Sequence, residues 1–197
     1  GSVAAGSVDR LAFALRPMEL QSASGDAVFV GVEVRGAGGW QPAAPAVDGV
    51  PTLVSRAAGG NAFGLFRLDR DGLMRLDVGG AAAGDGGDYT LDFFVAGDAN
   101  RDRRVDGTDQ ALVKAAFGSV AGDAAYLRGA DANLDGRVDA EDLQLLASNY
   151  GFQSVGAPVV QSVQRLTHVG LGLAIDLADL AFAPTGDPVS FRLLDVT

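Results

Sequence analysis

The chemistry of this chain is concentrated in two short runs of oxygen-bearing side chains. Asp98, Asn100, Asp102, Asp106 and Asp109 occupy positions 1, 3, 5, 9 and 12 of one twelve-residue stretch, and Asp131, Asn133, Asp135, Asp139 and Asp142 occupy the same positions of another. Alternate residues of a tightly turned loop can point inward together, and an all-oxygen set of this kind is what a hard cation of calcium size takes. In the first loop Asp98, Asn100 and Asp102 are the side-chain ligands, with Arg104 contributing its backbone carbonyl and Asp106 a bridging water. Asp109 closes the sphere. In the second loop those roles fall to Asp131, Asn133, Asp135, Arg137, Asp139 and Asp142. Eight Asp in 24 residues repel one another unless a cation lies among them. Two Ca²⁺ would bring the formal charge from −10 to −6, and without them the unit is expected to be poorly ordered.

The two runs are copies. With an offset of 33 residues, 98–109 and 131–142 agree at eight of twelve positions, and Leu112, Phe117 and Gly118 find counterparts in Leu145, Tyr150 and Gly151. Each loop leads into a helical pattern. Asp109 to Phe117 places Leu112, Val113 and Ala116 on one face, and Glu141 to Tyr150 does so with Leu145, Leu146 and Asn149. Gly118 and Gly151 stop the helices. Val105 and Val138, at position 8, point away from the ion and are expected to pack the loops together. Position 6 makes a sharp turn that favours glycine: the second loop has Gly136, whereas the first has Arg103 and is expected to bind more weakly.

Around this unit the apolar residues recur with period two. Candidate strands are Leu11–Leu15, Val28–Val34, Thr52–Val54, Asn61–Leu68, Leu73–Val78 and Tyr89–Val95, with no convincing helix among them. Phe63–Leu68 and Leu73–Val78, joined by Asp69-Arg70-Asp71-Gly72, read as a hairpin. Gly36–Gly49 and Gly79–Gly87 read as surface loops. The alternation returns after Pro158 in Val159–Val163, Leu171–Leu177 and Val189–Leu194. The fold class expected is therefore mostly β with a small α-helical insertion: a β-sandwich domain over 1–96, a calcium-binding unit over 97–153, and a β segment over 154–197. About 40 residues holding three strands cannot close a sandwich alone, so that last segment is expected to pack on the first.

Composition sets the outer limits. The chain has 197 residues, 48% of them hydrophobic, and a net charge of −10, made of 22 Asp, three Glu and 15 basic residues. Such a surface repels nucleic acid and anionic membranes, and no apolar run reaches the length of a membrane span. The absence of Cys excludes disulfides and thiolate chemistry. Gly1-Ser2 reads as a cloning remnant, and the chain as a soluble piece of something longer.

The duplicated loop–helix unit, from about Gly97 to Phe152, resembles the dockerin domains, tandem loop–helix calcium binders that carry Asp at position 12 as Asp109 and Asp142 do here. The resemblance implies a secreted or cell-surface protein and docking onto a cohesin module. In the family, positions 10 and 11 and the following helix carry that recognition. Here they are Gly107-Thr108 and Ala140-Glu141, which departs from the hydroxyl pairs of many cellulosomal dockerins. The region before Gly97 resembles prepeptidase C-terminal-type β-sandwiches of secreted bacterial proteins. The segment from Leu173 to Phe191 resembles the start of a cadherin-like repeat, and its Phe182-Ala183-Pro184-Thr185 lacks the acids for an ion of its own.

An enzyme reading finds little support. His168 is the sole histidine, no Gly-x-Ser-x-Gly elbow is present, and the Gly36–Gly39 and Gly170–Gly172 runs lack the setting of a phosphate loop. Glu19 and Glu33, on β segments, are a weak candidate for a glycosidase pair. Trp40 beside Tyr89 could form a sugar-stacking platform. The reading is a non-catalytic assembly or spacer module, with a cohesin-type module or the chain's own β domain as the partner of the calcium unit. The alternative is a carbohydrate-binding sandwich in which the calcium unit is a brace.

Overall fold

A computed structural model describes residues 1–154 and the backbone of 161–162. The architecture is mostly β, in two antiparallel sheets. Strands β1 (Ser2–Val3), β2 (Val8–Leu15), β3 (Val28–Gly36), β4 (Ala46–Val47), β5 (Thr52–Ala58), β6 (Asn61–Leu68), β7 (Gly72–Gly79), β8 (Gly87–Val95) and β9 (Gln161–Ser162) divide as β1-β8-β3-β6-β5 and β4-β7-β2-β9. The sandwich core lies between them. Val28, Val30, Val32 and Val34 of β3 face Leu11, Phe13 and Leu15 of β2 and Met74, Leu76 and Val78 of β7 across it, all of them buried.

Several expectations change. The hairpin of 63–68 with 73–78 does not form: β6 pairs with β3 and β5, while β7 pairs with β2 and β4 in the other sheet, so Asp69–Asp71 cross between layers. The reason is legible in β6, where Ala62 to Phe66 are all buried. A strand covered on both faces belongs inside a sheet with something packed outside it. A short helix, α1 (Pro17–Ser22), interrupts the β region and carries Glu19, whose carboxylate accepts the Arg16 N–H at 2.8 Å to cap it. The 36–49 stretch contains β4.

Trp40 and Tyr89 do meet, with ring centroids 6.1 Å apart, but both are buried in the core and offer no face to a sugar. The Tyr89 hydroxyl donates to the buried Asp9 at 2.6 Å. Of the candidate strands after Pro158, only Gln161–Ser162 falls among the described residues, and it pairs with Leu11–Ala12 of β2. His168, Gly170–Gly172, the strands 171–177 and 189–194, and Phe182–Thr185 lie outside the described residues. No described helix is long and apolar enough to cross a membrane.

β8 runs directly into the loop–helix unit. That unit comprises α2 (Gly107–Ala116), a 3₁₀ turn at Arg128–Ala130, and α3 (Ala140–Asn149). It lies on the outer face of the five-stranded sheet. There Phe63, Leu65, Phe94 and Ala96 bury themselves against Ala132, Leu134 and Leu145, in an apolar cluster separate from the sandwich core.

Candidate metal centres

The two loops share one framework of hydrogen bonds from side chain to backbone. At position 1, Asp98 accepts the amide hydrogens of Asp102 at 3.1 Å and Arg103 at 2.9 Å; Asp131 accepts those of Asp135 at 3.0 Å and Gly136 at 2.8 Å. At position 3, Asn100 Oδ1 accepts from Asp102 N and Asn133 Oδ1 from Asp135 N, both at 2.9 Å. At position 5, Asp102 accepts from Arg104 N and Asp135 from Arg137 N. Side chains that bond the backbone two residues ahead hold the chain in successive tight turns, which is the local reason this composition makes a loop.

Position 9 is the helix cap. Asp106 accepts the Thr108 N–H at 2.7 Å and Asp139 the Glu141 N–H at 2.8 Å, each starting its helix with extended backbone. Position 12 closes a reciprocal cap. Asp109 and Asp142 each take the amide of position 9 on one oxygen and the amides of positions 2 and 3 on the other, so both carboxylates tie the two ends of their loops together. As they stand, no three acidic or imidazole groups among the described residues converge as a metal cluster.

Burial makes the carboxylates demanding. Asp98, Asp131, Asn133, Asp109 and Asp142 are all at most 5% exposed. Loss of water pushes Asp98 and Asp131 above the usual carboxylate range, with the charges of Asp109 and Asp102 adding to the effect at Asp98. Asp142 is pushed up to about 6, again by burial first, with Asp131 contributing. Asp106, in solvent, is lowered by the Thr108 amide. Buried carboxylates sharing a small volume are unfavourable as bare anions, and a divalent cation reverses the sign of that cost. The donor chemistry therefore fits the ion, with oxygen at every liganding position and no nitrogen or sulfur.

The backbone is strained where the loops turn. Arg103 at position 6 sits at φ 71° where its counterpart Gly136 sits at φ 88°, and position 4 is left-handed in both copies, Arg101 at 62° and Leu134 at 52°. Arg101 lies over the Phe94 ring at 3.8 Å, and Leu134 enters the apolar cluster on the sheet, so position 4 is the point at which each loop touches the β domain.

Val105 and Val138 are fully buried members of one apolar cluster, and their backbones bond across the repeat. Val105 exchanges backbone hydrogen bonds with Gly151 and Phe152 beyond α3, and Val138 with Gly118 and Ser119 beyond α2. Each motif is completed by the exit segment of the other.

Sequence reasoning missed the residues that join this unit to the sheet. The Arg128 guanidinium donates to Glu33 at 2.6 Å, Arg56 of β5 donates to the Asn133 carbonyl, and the Asn149 carboxamide bonds Phe29 and Ala96. Burial opposes ionisation of Glu33, yet the hydrogen bonds and charges of Arg35 and Arg128 outweigh it and hold its carboxyl below the ordinary value. Glu19, which lies on α1 and not on a β segment, accepts from Arg16 and Ser154, so both glutamates are buried and bonded within the protein. The signal for Asn149 was available: a polar residue in the apolar stripe of a helix implies a buried partner.

Residues 96–149 match the dockerin type I domain family, a non-enzymatic, calcium-binding interaction domain of secreted or cell-surface proteins whose partners are cohesin modules. The match covers most of the duplicated unit and leaves 1–95 and 150–197 outside it. No curated protein and no solved structure matches the chain.

Proposed function

We propose that this chain is a non-catalytic assembly module of an exported protein, in which a two-calcium dockerin-type unit is inserted into, and fastened onto, a single β-sandwich formed by 1–96 and 154–197. The ligands assigned are Asp98, Asn100, Asp102, Arg104, Asp106 and Asp109 in the first loop and Asp131, Asn133, Asp135, Arg137, Asp139 and Asp142 in the second. The ions would offset the buried negative charge and cross-link loop turns. The chain's own residues supply the rest: Asp106 and Asp139 start the helices, while Val105 and Val138 knit each motif to the other's exit.

One observation carries the reading: the unit uses the inner face of α3 and both position-4 residues against the sheet, yet leaves the outward helix faces in solvent. Thr108, Ala111 and Lys114 on α2 and Glu141, Gln144 and Ala147 on α3 remain exposed. The first set includes position 11 of the first loop, the second set that of the second. The face that carries recognition in the family is thus open at both helices, and a cohesin-type module is the partner proposed. The β domain is the intramolecular one.

Titration calorimetry on chelator-stripped protein tests the ions: about two sites are expected, with Asp98→Ala and Asp131→Ala each removing one. A stoichiometry near zero overturns the reading. Binding to a panel of cohesin modules, with calcium and with chelator, tests the partner. Ala111→Arg combined with Gln144→Arg should abolish any calcium-dependent complex.

A further inference from the structure

The segment between the two motifs carries a side chain that the repeat itself does not explain. Tyr126 lies five residues before Asp131, and its hydroxyl donates to Asp131 Oδ2 at 2.6 Å. That oxygen also accepts the Gly136 N–H at 2.8 Å, while Oδ1 accepts the Asp135 N–H at 3.0 Å. The second loop's position-1 carboxylate is therefore gripped by three donors, one of them from outside the loop.

In the first motif the place of Tyr126 is taken by Phe93, 33 residues earlier. Phe93 has no hydroxyl, and its ring packs on Phe13 with centroids 4.7 Å apart. The Asp98 carboxylate, the counterpart of Asp131, is held by the Asp102 and Arg103 amides. The position-1 carboxylates of the two loops, alike in their bonds to the loop amides, thus differ in this outer contact.

Tyr126 is also firmly anchored. Leu127 packs at the edge of the main core, and Arg128 donates to Glu33 on β3 as the 3₁₀ turn begins. One short segment therefore reaches the sheet with Arg128 and the loop with Tyr126. A carboxylate whose torsion is set in advance loses less freedom when an ion arrives, and outer hydrogen-bond partners of ligands commonly govern metal affinity.

We propose that Tyr126 is a positioning residue of the second calcium loop, holding Asp131 in its liganding orientation and making that loop the tighter of the two. This rests on the reading that the loops bind calcium, and the test separates the two ideas. The full chain carrying Asp98→Ala, which retains the second loop alone, is titrated with calcium chloride with and without Tyr126→Phe. The second-loop Kd should weaken about tenfold on loss of the hydroxyl. In the Asp131→Ala background the first-loop Kd should stay within about twofold, since the contact is local.

Calcium should also change the near-ultraviolet tyrosine absorbance of the Asp98→Ala protein, and Tyr126→Phe should remove that change. Tyr126→Leu, which deletes the ring as well, should weaken binding no further than Tyr126→Phe. If Tyr126→Phe leaves the second-loop Kd unchanged in a protein that binds two ions, the inference is overturned and calcium binding stands. If Tyr126→Leu is far weaker than Tyr126→Phe, ring packing is the agent and the inference is again overturned. If the parent chain binds no calcium, the functional reading fails first.

Discussion

The carboxamide of Asn149 closes on the backbone of Phe29 as a neighbouring strand would, accepting the Phe29 N–H at 2.8 Å and donating to the Phe29 carbonyl at 2.8 Å. Its second amide hydrogen goes to the Ala96 carbonyl at 2.7 Å. One side chain at the end of α3 therefore ties the loop–helix unit both to β3 and to the end of β8. Gly97 makes the approach feasible, because it sits at φ 91° with its Cα against Leu146, where a Cβ would lie 2.5 Å from the Leu146 Cα.

Asn149→Ala should therefore be costly although the residue touches no ion. The Phe29 N–H and the Ala96 carbonyl lose a partner in a buried place, at about 1–3 kcal/mol each. A loss of about 2–4 kcal/mol corresponds to a melting temperature lower by roughly 5–15 °C in a chain of this size. Asn149→Asp should be no better, since a carboxylate cannot donate to either carbonyl. Differential scanning calorimetry in saturating calcium checks both.

Arg103→Gly should narrow the gap between the two calcium sites. Arginine at φ 71° costs about 1–2 kcal/mol relative to a right-handed or extended backbone, and glycine adopts that φ freely. First-loop affinity, measured by calorimetry in the Asp131→Ala background, should rise by roughly 5–30-fold if all of that strain is incurred on binding. Gly136→Arg should weaken the second loop by a similar factor. Equal affinities in the parent chain would contradict the strain argument.

The contact of Glu33 with Arg128 gives docking a pH dependence. The folded-state pKa of Glu33 lies below the unfolded value, so its contribution is fully present above the ordinary carboxylate pKa and is lost as pH falls through the lowered one. Thermal melts of the parent and Glu33→Gln should differ at pH 7 and converge in acid. Both arginine partners are about half exposed, so screening makes the difference modest and smaller at high salt. A gap that stays constant from pH 7 to pH 3 would show that the charge of Glu33 is irrelevant.

Deleting Val159–Thr197 should destabilise the N-terminal strands. Gln161–Ser162 pairs with Leu11–Ala12 at the edge of β2, and removing it exposes that edge. The melt of the truncated chain should fall by several degrees, and its tendency to self-associate should rise. An unchanged melt would make 154–197 an independent neighbour and dissolve the insertion reading.

The turns and caps of the two loops were legible in the sequence because the chemistry is local: Asp and Asn at alternate positions bond amides two residues ahead, and the helix that follows needs a cap at position 9. The helices were legible for the same reason, with Gly118 and Gly151 ending them at positive φ. Strand partnership was not, because alternation reports which residues are buried and not which neighbour covers them. The apolar run Ala62–Phe66 carried the hint that β6 is covered twice, yet what covers it is a loop and helix 70 residues further on. Phe29, Arg56, Tyr126 and Arg128 are ordinary residues in the sequence, and they acquire a role only when two segments distant along the chain are brought within hydrogen-bond distance. Composition and spacing set what each loop can hold; packing decided that the second loop and α3 are held against a sheet, since only the folded chain brings the donors on one to the acceptors on the other.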